Sequence, residues 1–149
     1  MSDKKESQKT GKFFEHSEKN NNLFFQILED ICGPLEYVSE TNESVETFIA
    51  GKPPSITLKG YLMALGIDNG TIEEVKFDEF FLKLTAEKEW HGTAERERAK
   101  GFSRLCDLMK KNLEEIRVIR VGRVRIDIYV VGIDVKGRLT GVKTKALET

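Results

Sequence analysis

Two histidines, two cysteines and a set of carboxylates are the groups in this 149-residue chain able to act as bases, nucleophiles or metal ligands. A general base needs a partner to orient it, and a metal needs ligands that converge. His16 lies in a polar N-terminal stretch, and His91 stands between Trp90 and Gly92 with no second ligand beside it. Cys32 and Cys106 each fall in an apolar stripe of helical spacing without CxxC pairing, so both are expected to be buried free thiols. The acidic pairs Glu73–Glu74 and Asp78–Glu79 read as a solvated strand end and a helix start. There is no phosphate-binding glycine loop, dinucleotide fingerprint or nucleophile elbow. These residues make no case for an enzyme, and none for a cofactor or a metal of the chain's own.

Recognition is the other chemistry a surface can do. Glu40 in a polar loop, Trp90 ahead of a long helix, and Thr149 at the end of the sequence are the candidates. Each has a plain alternative: a loop glutamate is commonly just solvated, a lone tryptophan is more often core, and a final threonine usually does nothing. Residue chemistry alone therefore leaves the function open.

The elements that must position these groups follow from periodicity. The composition, 39% hydrophobic and 33% charged with a formal net charge of −1, is that of a soluble globular chain with no electrostatic case for nucleic acid or anionic membranes. No apolar run approaches the roughly 20 residues that span a bilayer, and the N-terminus lacks a signal-peptide core, so the expected compartment is the cytoplasm. Residues 1–20 read as a flexible polar extension and residues 21–149 as one domain. Phe24, Ile27, Leu28 and Ile31 mark a helical face, stopped by Gly33 in a left-handed cap followed by Pro34. An extended Leu35–Val38 leads into a polar loop over 39–44, then a strand over Val45–Ala50.

Leu58, Tyr61, Leu62 and Leu65 predict a short helix, interrupted by Gly60 and ending near Gly66. Ile72–Phe77 is expected to be extended, and Asp78 to cap a helix stapled by Phe77 and Leu82, with Phe80, Phe81 and Leu84 buried. After a loop over Thr85–Gly92 the pattern of Phe102, Leu105, Cys106, Met109 and Leu113 predicts a long helix over Ala94–Leu113. Three strands close the sequence, with turns at Gly122 and at Gly132–Gly137. Val124, Ile126, Ile128 and Val130 point to a core, and Arg123, Arg125, Asp127 and Tyr129 to a face nearer water. Arg117, Arg120, Arg123 and Arg125 read as a solvated sheet face or edge protection. The fold class is α+β with a mainly antiparallel sheet covered by helices.

Three stretches carry a family resemblance: Tyr37-Val38-Ser39-Glu40; Val75 to Trp90, with the Phe80–Phe81 pair, on through the long helix; and Val121-Gly122-Arg123-Val124 to Gly132, then Leu139 to Lys145 and Glu148-Thr149. In these, covering roughly three quarters of its length, the chain resembles the nuclease A inhibitor family. The resemblance implies an α-β-α sandwich like that of the pathogenesis-related class 1 proteins. It also implies a protein inhibitor of a Mg²⁺-dependent, sugar-non-specific endonuclease, bound one to one at the enzyme's active site. By the same resemblance Glu40, Trp90 and Thr149 are the partner-binding residues, with Lys88, where the chain departs from the family's uncharged polar residue, and Glu89 beside the tryptophan; Thr149 and Glu40 are directed at the partner's metal or its waters. The alternative is an interaction or scaffold module of the same fold with a different or lost target.

Overall fold

The computed structural model describes residues 23–149, so the expected extension over 1–20 and His16 lie outside the described residues. Helix α1 covers residues 23–32 of that span. It is followed by β1 (Glu36–Val38), β2 (Asn42–Ser44), β3 (Glu46–Ile49), α2 (Leu58–Leu65), β4 (Ile72–Val75), α3 (Phe77–Thr85), α4 (Thr93–Asn112), β5 (Glu114–Val121), β6 (Arg125–Ile133) and β7 (Leu139–Leu147). Five strands form one antiparallel sheet in the order β3-β7-β6-β5-β4, while β1 and β2 pair as a separate hairpin. The predicted meander of the last three strands is therefore the centre of the sheet.

Alternation along these strands builds two cores rather than one. Val118, Ile126, Ile128, Val130, Val142 and Ala146 face α1, α3 and α4, packing with Leu28, Phe81, Phe102, Leu105 and Met109. Their neighbours Ile119, Val131 and Leu139 point the other way and pack with Tyr61 of α2. The molecule is thus an α-β-α sandwich; on its second face Arg123 and Arg125 are exposed and Asp127 and Tyr129 half-buried, as expected, while Ile119, Val131 and Leu139 are covered. Tyr61 is fully buried, its hydroxyl donating to the Glu115 carbonyl, and burial pushes its pKa up to about 12 against the opposing charge of Arg117. Gly60, read as an interruption, is instead a close contact. A Cβ there would strike the Ser55 carbonyl, so glycine lets α2 sit against the loop before it.

Other local expectations give way for identifiable reasons. Gly33 is not left-handed; α1 ends in a turn with Gly33 N–H on the Glu29 carbonyl at 2.9 Å and Leu35 N–H on the Cys32 carbonyl at 3.0 Å, and Pro34 blocks continuation. Lys76, not Asp78, occupies the N-cap of α3, and no side chain caps it. Asp78 lies in the first turn and pairs with Lys110 of α4 at 3.1 Å, while Leu82 is 70% exposed and makes no staple. Ile27 and Val124 are exposed rather than buried. The polar stretch 39–44 is not all loop, because its second half pairs with β1 as β2.

A buried carboxylate organises the β6–β7 turn. Asp134 accepts from the Lys136 and Arg138 amides at 2.9 and 3.0 Å, from the Arg138 guanidinium at 3.2 Å and from the Thr140 hydroxyl at 2.9 Å. With each oxygen satisfied and a guanidinium beside it, the charge is tolerated at a side-chain exposure of 1%.

Candidate functional site

The end of β7 is where distant segments meet. Leu147 pairs with Arg125 of β6, and the turn between β1 and β2 closes over the same residue. Leu147 N–H donates to the Ser39 hydroxyl at 2.9 Å, and Glu40 N–H donates to the Leu147 carbonyl at 3.2 Å. One residue on, Glu148 N–H donates to the Val124 carbonyl in the β5–β6 turn at 2.9 Å. That turn depends on Gly122, at φ 117°, where any side chain would also collide with the Arg125 carbonyl. The Glu148 carboxylate meets Arg120 at 2.6 Å, and Arg120 reaches on to Glu73 at 3.3 Å.

Thr149 is then clamped by Glu40. Its N–H donates to Oε2 at 2.8 Å, and its hydroxyl donates to Oε1 at 2.9 Å with Oε2 at 3.1 Å. The backbone N–H first, and the hydroxyl second, hold the Glu40 carboxyl below its ordinary 4.5 although it is fully solvated. The Thr149 hydroxyl proton is committed to a carboxylate, which leaves the oxygen's lone pairs for an outside cation or donor. The structure thus joins two sequence candidates, Glu40 and Thr149, across 109 residues.

Lys88, Glu89 and Trp90 occupy the loop between α3 and α4. Trp90 is 76% exposed, so it is not a core residue. His91 fixes the loop: its Nδ1 accepts from Lys88 N–H at 3.1 Å and its own N–H donates to the Lys88 carbonyl at 3.0 Å. The Glu95 carboxylate accepts from Gly92 N–H at 2.7 Å where α4 begins, and Arg96 donates to the Glu89 carbonyl at 3.4 Å. The Lys88 ammonium stands 5.4 Å from the centre of the Trp90 ring, and the His91 ring meets it edge-on at 5.9 Å. Among the described residues, no hydrogen bond, ion pair or ring contact joins this loop to the Glu40–Thr149 clamp. A groove of about 740 Å³ runs from the clamp to α3, lined by Glu40, Glu148, Arg120, Phe80, Lys83 and Leu84. It reaches the last turn of α3, from which the Trp90 loop departs.

The remaining chemically capable groups are accounted for by packing. Cys32 is buried and its thiol is pushed up to about 12; Cys106 is half-buried and also raised by burial, and both are free. Among the described residues no group of three His, Cys, Asp or Glu converges to hold a metal, and no helix is long and apolar enough to cross a membrane. Arg117 and Arg120, expected as solvated, are largely covered; Arg117 forks onto Glu74 at 2.8 and 3.0 Å and donates to the Ile56 carbonyl at 2.7 Å. Ser39, Val124 and Arg120 were not legible as site residues, because each acts on the tail through the folded chain.

The Glu40–Thr149 clamp and the Trp90 indole are both exposed on this sandwich. The chain belongs to the nuclease A inhibitor-like protein family, whose model matches residues 22–149. Among curated proteins no match is found. Nuclease inhibition is the role this family suggests.

Proposed function

We propose that the chain inhibits a Mg²⁺-dependent, sugar-non-specific endonuclease, forming a one-to-one complex in the cytoplasm in which Thr149 is directed at the catalytic metal. The observation that carries this reading is the Glu40–Thr149 clamp: two turns, β1–β2 and β5–β6, hold residues 147–149, with a polarised hydroxyl at Thr149. Mg²⁺ takes hard oxygen ligands and retains exchangeable waters, so that hydroxyl suits the place of a substrate phosphate oxygen or of a metal-bound water's partner. Because the tail is ordered before binding, little conformational freedom is lost on insertion. Glu40 orients Thr149 and has lone pairs left to accept from a metal-bound water or a catalytic residue. Trp90, with Lys88 and Glu89 beside it, supplies a second contact, a solvated indole to bury against the enzyme.

The complex would bury roughly 1,600 Å² in total, as stable inhibitor complexes do. Inhibition requires no direct contact with nucleic acid and no membrane. A pair of variants tests the tail's chemistry: Thr149→Ser keeps the hydroxyl, and Thr149→Val keeps the shape without it. We expect serine to inhibit within a few-fold of the parent and valine to inhibit about tenfold or more weakly, the loss of one charge-assisted contact. Equal inhibition by the valine variant would remove the hydroxyl from the mechanism. Binding without inhibition would favour the interaction-module reading.

A further inference from the structure

We infer that Arg120 is the positioning residue that sets Thr149 against Glu40, acting through the Glu148 carboxylate next to it. This rests on the reading of Thr149 as the inhibitory tip.

Arg120 projects from β5, a strand paired on both sides by β4 and β6, so its base is fixed by the sheet. From there its guanidinium holds the Glu148 carboxylate at 2.6 Å, one residue before Thr149. It lines the same groove as Tyr37 of β1 and Glu40. Glu73 of β4 takes its Nε at 3.3 Å, which fixes the plane of the guanidinium. The side chain is 16% exposed, so these contacts are less screened than those of an ordinary surface pair. A planar group with several donors can bridge two carboxylates in fixed directions, which an ammonium cannot do.

The backbone contacts at Leu147 and Glu148 place the chain as far as residue 148. Beyond that, Thr149 depends on Glu40, which is itself solvated. Arg120 removes the remaining freedom by tying the side chain before Thr149 to the sheet at β5 and β4. Loss of Arg120 would leave a folded sandwich whose tip samples several positions, and inhibition would weaken by the fraction of time the clamp is open.

The experiment uses the ¹⁵N-labelled full chain, free in solution, with the amide order parameter of Thr149 as the direct readout. In the parent it is expected near the rigid value of about 0.85, and in Arg120→Met below about 0.6. Glu148→Gln, at a more exposed position that cannot compromise the core, is expected to lower it as well. Against a Mg²⁺-dependent nuclease, each single variant is expected to inhibit about tenfold more weakly, corresponding to a clamp closed about a tenth of the time. The double variant should be little worse than either single one, because both changes break the same link. An unchanged order parameter in both variants overturns the inference, and so does simple additivity. If the parent inhibits no nuclease, the proposed function fails, while the order parameter still decides the role of Arg120.

Discussion

Replacing Trp90 by alanine separates an interface anchor from a structural residue. A tryptophan side chain offers about 150–250 Å² for burial, and 76% of this residue is open to solvent. Covering roughly 150 Å² of that at about 25 cal/mol/Å² sets a ceiling near 4 kcal/mol, from which ordering the side chain removes about 1 kcal/mol. The expected loss in binding is therefore about 2–3 kcal/mol, or roughly 30- to 150-fold in the inhibition constant. Folding should barely respond. The covered quarter of the ring and its exposed contact with Lys88 contribute about 1 kcal/mol at most, a shift of no more than about 4 °C in melting temperature. The assay is an inhibition titration against a Mg²⁺-dependent nuclease beside a thermal melt of the free variant. An unchanged inhibition constant refutes the anchor role; a fall of ten degrees or more would mean that the loop is part of the core.

Three further outcomes follow from the fold and the clamp. Gly141→Ala in β7 should cost at least about 3 kcal/mol by denaturant unfolding, because its Cβ would enter the space of the Val130 carbonyl on the adjacent strand. Asp134→Ala should cost a similar amount, about 3 kcal/mol, since it leaves the Lys136 and Arg138 amides, the Thr140 hydroxyl and the Arg138 charge without their acceptor. The Glu40 clamp should depend on pH in one direction. A carboxyl held below its ordinary 4.5 contributes fully above that value and loses its contribution as pH falls through the lowered one. The Thr149 amide resonance should therefore be unchanged from neutral pH down to about 5 and move toward a mobile position in stronger acid. Glu40→Gln should remove that transition.

Much of the scaffold was legible because its signals are local. A period of two in Ile126, Ile128 and Val130, and helical stripes in Phe102, Leu105 and Met109, are dictated by which side of each element meets the core. That part of the opposite sheet face is also covered was not legible. The Arg125-Asp127-Tyr129 alternation reads as nearer water, and it is, but Tyr61, from a short helix some sixty residues upstream, is laid over Ile119, Val131 and Leu139 of the same face. Of the helix caps, Asp78 has the right type for an N-cap, yet it stands two residues past Lys76, inside the first turn, where it pairs with Lys110.

The candidate site divides in the same way. Trp90 was open between core and surface from sequence, and the fold puts it outside. Glu40 and Thr149 came from family resemblance, and no periodicity could have paired them, since their contact is made by the closing of β7 against the β1–β2 turn. Asp134 was missed despite a local signature. An aspartate with amide donors two and four residues ahead, around a left-handed Gly137, is the pattern of a side-chain-closed turn.

The most direct measurement of the inhibitory account is a titration of the full-length chain, and of a version lacking Thr149, into a fixed concentration of a sugar-non-specific nuclease digesting DNA with Mg²⁺. The account predicts activity falling linearly to zero at one equivalent of the full-length chain, and much weaker inhibition by the shortened one. Full-strength inhibition by both would contradict a tail directed at the metal. No inhibition by either, across nucleases of this type, would contradict the function itself.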